Sequence, residues 1–569
     1  MKLTRTFIAL LLITMVAKPG MASENWVDKF LHRYDAHPDP SPVGAPAAAS
    51  SPGGQLGQLL RTGELPVTMN DVVNMMLDNN LNIRADRMAP RSLYYQSLVF
   101  WQALLPSLRL TSNVSRDVAL SSSQFYGAMS QITNTGLLDA NVSQLLPSGT
   151  SVSVDLNMVR LLTNSSSTIF NPSYTSRATY TVGQHLLQNR GRVVNLRQVL
   201  EGQNTEKSSE AAFELQLTSL IVQAQKSYWN LVFAGDNLDL TQQSLTRAQT
   251  LLDQNRQKVE IGTLAQVDLI PTKAQVATVN DQLVQARYAV TTAEDQLKTL
   301  VSSEKDPSMF LMKLKAQDLP VRPEAAQIPT LEEAVRIALE NRPELRQAQL
   351  DLKNKDIEIT YTNNQRKPVI DLTASFDQNG VGGAQRRGFL LNSPAFIVPV
   401  PGGPFSSLGQ LFSYGYTGFS GGISVVIPID NKAANAAYGK ALNDQRMSRN
   451  QMDSTVQAIA LDVRNSLMAV EMYKARIDTA KTARELAQDT LEAEQAKFDL
   501  GTSTIQFIIN DQNFLALAQT NEAQTLVNFT EALVELDRSM GMTLKKNNIE
   551  FDRTLGNVVQ KTQSSTSAK

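Results

Sequence analysis

Three histidines, His32, His37 and His185, are the only imidazoles in the 569 residues. No two of them stand four residues apart. Neither a helical pair of metal ligands nor a histidine-centred catalytic triad is therefore expected. There is no cysteine. Disulfides, thiol nucleophiles and cysteine-held metals are thereby excluded, as is the cysteine on which a lipoprotein anchor is built. The chain contains no P-loop and no H-E-x-x-H string. Its 54 acidic and 53 basic residues are interspersed, for a net charge of −1 and a pI near 6.4. That balance gives no electrostatic footing for nucleic acid. The chemistry-bearing residues thus point away from catalysis: no catalytic residue, cofactor or metal is expected, and the chain is read as a non-enzyme.

The ends of the chain address it rather than shape it. Lys2 and Arg5 precede an apolar run, Thr6–Ala17, and the small residues Gly20 and Ala22 flank Met21. This pattern predicts a secretory signal peptide over 1–22, with the mature chain starting at Ser23. Residues 23–64 are expected to be an N-terminal extension, including the Pro/Ala/Ser/Gly-rich linker Pro38–Gln55. Residues 551–569 are expected to form a flexible polar tail. No later stretch carries 18 consecutive apolar residues, so no transmembrane helix is expected in the exported chain.

Between the ends, the sequence repeats. Shifted by 262 positions, Thr68 meets Thr330, Val73 meets Val335, Leu77 meets Leu339, Asn79 meets Asn341 and Arg84 meets Arg346. The register runs on to Pro106 and Pro368, then to Leu110 and Leu372. Later, "KVEIGT" (Lys258–Thr263) matches "KFDLGT" (Lys497–Thr502). The expected division is a first repeat over 65–312, a connector over 313–328 and a second repeat over 329–550.

Each repeat should open with a short helix. Thr330-x-x-Glu333 is a capping box and Thr68-x-x-Asp71 its analogue. Pro343 would be costly inside a helix but costs nothing as the first residue of a new one, so Asn341 should end one helix and Pro343 start the next. After Pro106 and Pro368 the apolar period changes to two. Strands are expected within 107–187 and 369–429, with 119–136, 160–175 and 379–413 as loops. Such alternating segments fit a transmembrane barrel or an ordinary β-sandwich.

Long helical hairpins follow, over 192–302 and 433–540. Ala433–Asp499 has no proline and one glycine. Val456, Val463, Val470 and Ile477 recur every seven residues, as do Leu217, Ala224, Leu231, Leu238, Leu245 and Leu252, which predicts coiled-coil packing. Gly262 and Gly501 should break the helices. Thr263-x-x-Gln266 and Ser503-x-x-Gln506 read as capping boxes for the returning helices.

The order of these features, twice over, resembles the TolC-like outer-membrane efflux protein family. "TLEEAVRIALENRPELRQAQLDL" (Thr330–Leu352) and "LDRSMGMTLKKNNI" (Leu536–Ile549) carry the likeness. So does "GQHLLQNRGRVVNL" (Gly183–Leu196), with His185 where proline is usual. The resemblance covers about residues 65–550. It implies a mainly α fold with a membrane β-barrel: a homotrimer in which three chains close an outer-membrane β-barrel above an α-helical barrel in the periplasm, with two internal structural repeats per chain. Four strands per chain are usual in the family, here 108–118, 177–187, 369–377 and 417–427. Segments 138–144 and 150–158 would then form an added hairpin, either widening the barrel or lying outside it.

The implied function is a passive exit duct for small molecules, driven by an inner-membrane transporter of RND, ABC or MFS type through a periplasmic adaptor. A type I protein secretion duct is the alternative, and a coiled-coil surface scaffold a remoter one. The implied partners are outer-membrane lipid, the adaptor and the transporter, with no nucleic acid. The implied adaptor-docking tip is Ile261, Gly262, Thr263 and Leu264 with Leu500, Gly501, Thr502 and Ser503. The family closes its tip with a ring of carboxylates after the second turn; here the matching positions hold Phe507 and Asn510, with Asp511 adjacent and Asp268 keeping the acidic type in the first repeat, and Phe507 is read here as the constriction of the periplasmic gate.

Overall fold

The computed structural model describes residues 64–121, 128–165, 168–301, 310, 312–325, 328–385, 402–552 and 557–560. The expected signal peptide, and the extension up to residue 63, lie outside the described residues. The chain divides into two compact units, one of residues 66–548 and one of the two ends. In the latter, Ile549–Asp552 and Asn557–Gln560 pair antiparallel. The tail expected from 551 is therefore partly strand; residues 553–556 and 561–569 are outside the described range.

The larger unit starts with helices α1 (Met69–Asn79), α2 (Leu81–Asp86) and α3 (Met88–Phe100). Thr68 caps α1 through a complete capping box with Asp71. Strands β1 (Ser107–Leu120), β2 (Ser130–Leu145), β3 (Thr150–Thr163) and β4 (Phe170–His185) follow. Helix α4 (Arg197–Glu260) runs away from them and α5 (Leu269–Val301) returns along it. The second part has α6 (Leu331–Asn341), α7 (Pro343–Gln365), β5 (Val369–Gln385), α8 (Pro404–Leu411), β6 (Thr417–Val426), α9 (Lys432–Asp499) and α10 (Ile505–Ser539). At about 1.5 Å per residue, α9 extends roughly 100 Å.

Pro343 is the first residue of α7, and the preceding Arg342 is extended (φ −65°, ψ 126°). Thr330 and Glu333 form the full capping box at the start of α6. Here α6, α7, α9 and α10 meet over one core. Ala334, Ala338 and Leu345 pack with Ile459, Val463, Leu467 and Val470 and with Phe529, Ala532 and Leu536. The heptad positions Val463, Val470 and Ile477 are buried, and Val456 packs against them. On α4, Leu217, Ala224, Leu231, Leu245 and Leu252 are buried in the same way.

Strands β1 to β6 form one antiparallel sheet, in the order β1-β2-β3-β4-β5-β6. The β2–β3 hairpin is therefore an integral part of this sheet, inserted between β1 and β4. The strands are longer than the alternation predicts. Residues 130–136, 160–163, 170–175 and 379–385 were expected in loops but are paired strand. Their Ser, Thr, Asn and Gly content signals turns in a sequence, yet suits the polar side of a two-faced sheet. The loop expected up to 413 also contains α8, which rests on β4 and β5. Among the described residues no helix is long and apolar enough to cross a membrane.

Candidate functional site: the hairpin tip and the two-faced sheet

The two hairpin turns are built alike. Gly262 and Gly501 both have φ +78°. A side chain is disfavoured in that left-handed region, which is why glycine ends each helix. Gly262 N–H donates to the Val259 carbonyl at 3.0 Å and Thr263 N–H to Lys258 at 2.9 Å. Gly501 and Thr502 repeat these bonds to Phe498 and Lys497, both at 3.0 Å. These are paired Schellman motifs, which satisfy carbonyls left open at a helix end.

The threonines extend the motif. Thr263 Oγ1 donates to the Lys258 carbonyl and Thr502 Oγ1 to that of Lys497, each at 3.0 Å. The expected capping boxes of the returning helices are not formed. The N-cap residues there are Ala265 and Thr504, without side-chain caps. The Thr263 hydroxyl is committed backward to the outgoing helix, and Ser503 bonds Glu494 instead of a helix N–H.

The turns also touch each other. Lys258 Nζ lies 3.0 Å from Asp499 Oδ1 and 4.3 Å from the centre of the Phe498 ring. Beneath them Leu251 of α4 packs with Leu491, Ile505, Ile508 and Ile509, and Leu264 covers this core. Ile261 (73% exposed) and Leu500 (81% exposed) project outward at equivalent places. The tip is thus one body with two apolar knobs. Sequence inspection passes over Lys258, Asp499, Phe498 and Glu494, although the shared Lys258/Lys497 pattern is a signal.

Of the four expected gate residues, Phe507, Asn510 and Asp511 follow one another at i, i+3 and i+4 on α10, and Asp268 lies in the turn that leads into α5. Phe507 (57% exposed) and Asn510 lie on an open face of α10, continued by exposed Phe514 and Leu517. This spacing of three and four is an unpartnered helical seam. Asp511 is half-buried on the side toward Glu494. Loss of hydration raises its carboxyl above the ordinary range, the Glu494 charge adds to the shift, and Lys497 opposes it. Glu494 is held below the ordinary range by the bonds from Ser503 and then Lys497. Asp268 is half-buried in the 3₁₀ turn Gln266–Asp268. Among the described residues it makes no ion pair with the others.

At the opposite end, the strand register separates two chemistries. One face carries Leu108, Leu110, Val114, Ala140, Val142, Val154, Leu156, Tyr180, Leu372, Phe376 and Ile423. The other carries Arg109, Asp117, Asp139, Asp155, Arg177, Asp371 and Asp377. Polar groups there bond across strands: Thr179 to Asp377 at 2.7 Å, Arg177 to Asn379 at 2.9 Å, and His185 to Asp371 at 2.6 Å. One hydrolase-like string, G-F-S-G-G at Gly418–Gly422, is also part of this sheet. Ser420 sits mid-strand, 2.7 Å from the Ser375 hydroxyl, not on a strand-to-helix elbow.

Midway, a clasp of ions joins both halves of the chain. Buried Arg342 reaches Asp462 at 2.7 Å and the Ser539 carbonyl at 3.1 Å. Arg538 binds both Asp462 oxygens at 2.9 Å. Lys226 meets Glu535 at 2.7 Å and Arg346 meets Glu214 at 2.9 Å. A cavity of about 670 Å³ opens beside these residues. These carboxylates and cations neutralise one another, as a structural joint requires.

Comparison with known proteins gives this architecture its context. Residues 72–303 and 334–542 match the family described as outer membrane efflux protein. Outer membrane protein TolC of Escherichia coli (strain K12) is 22% identical over 355 residues, which cover 62% of this chain and 67% of TolC. In three dimensions the chain resembles the outer-membrane channel OprN, with TM-score 0.59 and 15% identity over 83% of this chain and 89% of that one. It also resembles the Campylobacter jejuni CmeC outer membrane channel, with TM-score 0.57 and 15% identity over 84% and 86% of the two chains. The match to the family model spans most of the chain, in two blocks that take in both long hairpins and the sheet between Ser107 and His185, and by it the chain belongs to the outer membrane efflux protein family.

Proposed function

We propose that three copies of this chain assemble into a passive export duct across the outer membrane and periplasm. The observation that carries this is the two-faced, six-stranded sheet at the head of two helical hairpins, one with a helix of about 100 Å. Strands β1 and β6 each have one unpaired edge. An open edge cannot remain in lipid, so another copy must pair with it. Three chains of six strands give eighteen, with the apolar face toward lipid and the charged face around the lumen.

The helices of the three chains then form the periplasmic tube, each chain contributing two structural repeats. Residues 1–22 direct export and 23–64 precede the first repeat. Cargo is a small molecule, moved by an inner-membrane pump and passed on by a periplasmic adaptor. Ile261–Leu264 and Leu500–Ser503 are the adaptor contact: rigid turns with apolar knobs suit the ends of another protein's helices. Phe507 narrows the closed tip, with Asn510, Asp511 and Asp268 near it. No bond is made or broken by this chain.

The test is to place a charge on each knob. An Ile261→Asp/Leu500→Asp double variant should still form trimers in the outer membrane. It should lose export and recovery of the cross-linked adaptor. Undiminished adaptor recovery and export would remove the tip assignment.

A further inference from the structure

The apolar face of the sheet contains two charged residues among the described strands, Arg116 and Arg160. Every acidic residue of the six strands lies on the other face. Arg116 opposes Asn134, and Arg160 opposes Gly136 on the same β2 strand. The guanidinium-bearing strands are thus two apart, about 10 Å. Gly136 places no side chain between the arginines, and a Cβ there would touch that of Arg160 at 3.8 Å. Both arginines are exposed. Neither makes an ion pair or hydrogen bond among the described residues.

Their height along the wall is defined by register. Arg160 pairs with Tyr174, and Tyr174 with Gly382. Helix α8 lies at this level on the same face. Ser407 Oγ is 2.8 Å from Ser176 Oγ, and Gln410 bonds the Val381 backbone in both directions. Leu408 and Leu411 pack on Leu156, Met158 and Ala178. A side chain at Gly380 would collide with the Ser407 carbonyl, so the sheet is cut away to seat the helix. Phe405, Phe412, Tyr414 and Tyr416 remain exposed around it, and no charged residue occurs from Gly402 to Ile429.

An apolar helix ringed by aromatics, level with two unpaired arginines at the end of the strands far from the helical hairpins, is the composition of a membrane interface. We infer that Arg116 and Arg160, with α8 beside them, form a docking site for the phosphate-bearing headgroups of outer-leaflet lipid. Arginine suits this because its planar fork bonds phosphate oxygens in pairs. Acyl chains then lie along Val114 and Leu138 below. The inference rests on the apolar face being the lipid face, as proposed above.

The test reconstitutes the full-length trimer in nanodiscs of phosphatidylethanolamine containing bis-phosphorylated lipid A, or the same lipid A with both phosphates removed. Lipid retained after detergent extraction is counted by native mass spectrometry. The wild type should retain the phosphorylated form about tenfold better, the effect of one or two charge-assisted contacts. Arg116→Gln/Arg160→Gln should abolish that preference, Arg116→Lys/Arg160→Lys should keep part of it, and Arg109→Gln on the other face should leave it unchanged. If the double Gln variant does not assemble, each single Gln variant should lower the preference. Equal retention by wild type and Gln variants overturns the site, as does equal retention of the dephosphorylated lipid. Displacement of the lipid by free inorganic phosphate would mark an anion site and overturn the lipid assignment. Failure of the lipid-face reading is distinct: Val154→Cys would then react with water-soluble maleimide in intact nanodiscs.

Discussion

At the residue scale, single backbone and side-chain commitments fix the tip and the mid-chain joint. Gly501 has open space around the place of a Cβ, so Gly501→Ala acts through backbone strain alone. It should cost about 1–2 kcal/mol and show as faster hydrogen exchange at the second turn. Phe507→Ala should raise closed-state conductance of the reconstituted channel; an unchanged value would remove Phe507 from the constriction. Arg342→Met takes the donor from the Ser539 carbonyl and the partner from Glu344 while Arg538 still holds Asp462, and it should lower stability by about 1–3 kcal/mol in a denaturant titration. The glycines, and the proline at the α6–α7 joint, were legible because each has one strong conformational preference. The threonines after the glycines were not. A hydroxyl can bond backward or forward with equal ease, and only packing selects Lys258 and Lys497 as its acceptors.

At the element scale, the long helices could be read because a seven-residue apolar repeat has one packing solution. Val463 and Val470 are fully buried, as that repeat requires. The extent of the strands could not be read in the same way. Serine, threonine and glycine serve a polar sheet face and a loop equally well, so 130–136 and 170–175 gave no signal of pairing. Helix α8, with its glycine and two serines, is too short to show a period. The tip's electrostatics belong to this scale, since α9 supplies Glu494 and Lys497 and α10 supplies Asp511. Burial raises Asp511 above its ordinary 3.8, with Glu494 adding to the shift. Between 3.8 and the raised value, the folded chain therefore holds a proton there that the unfolded chain has lost. The resulting stabilisation is full below 3.8 and disappears as pH rises through the raised value. Glu494 acts in the opposite sense: its contribution is present above 4.5 and is lost as pH falls through its lowered value. Asp511→Asn should remove the first dependence and leave the second, as followed by hydrogen exchange at the tip across the acid range.

At the scale of the whole molecule, the inserted β2–β3 hairpin matters most. With strands about 4.8 Å apart and tilted about 40°, eighteen close at a radius of about 18 Å, whereas twelve close at about 12 Å. A ring of twelve helices about 9–10 Å apart also has a radius near 18 Å. In the proposed trimer, six strands per chain would let the mouth match the width of the helical tube. The order of helices and strands follows the local apolar periods, but pairing partners are a property of the folded sheet. The chain's lack of cysteine makes closure accessible to cross-linking. Cysteine pairs scanned along β1 and β6 should give covalent trimers in the membrane at one register. The central claim is that the assembled chain conducts. Purified trimers in a planar bilayer should produce discrete, uniform current steps, one unit per trimer. Folded trimers that insert and carry no current under any applied voltage would contradict the account.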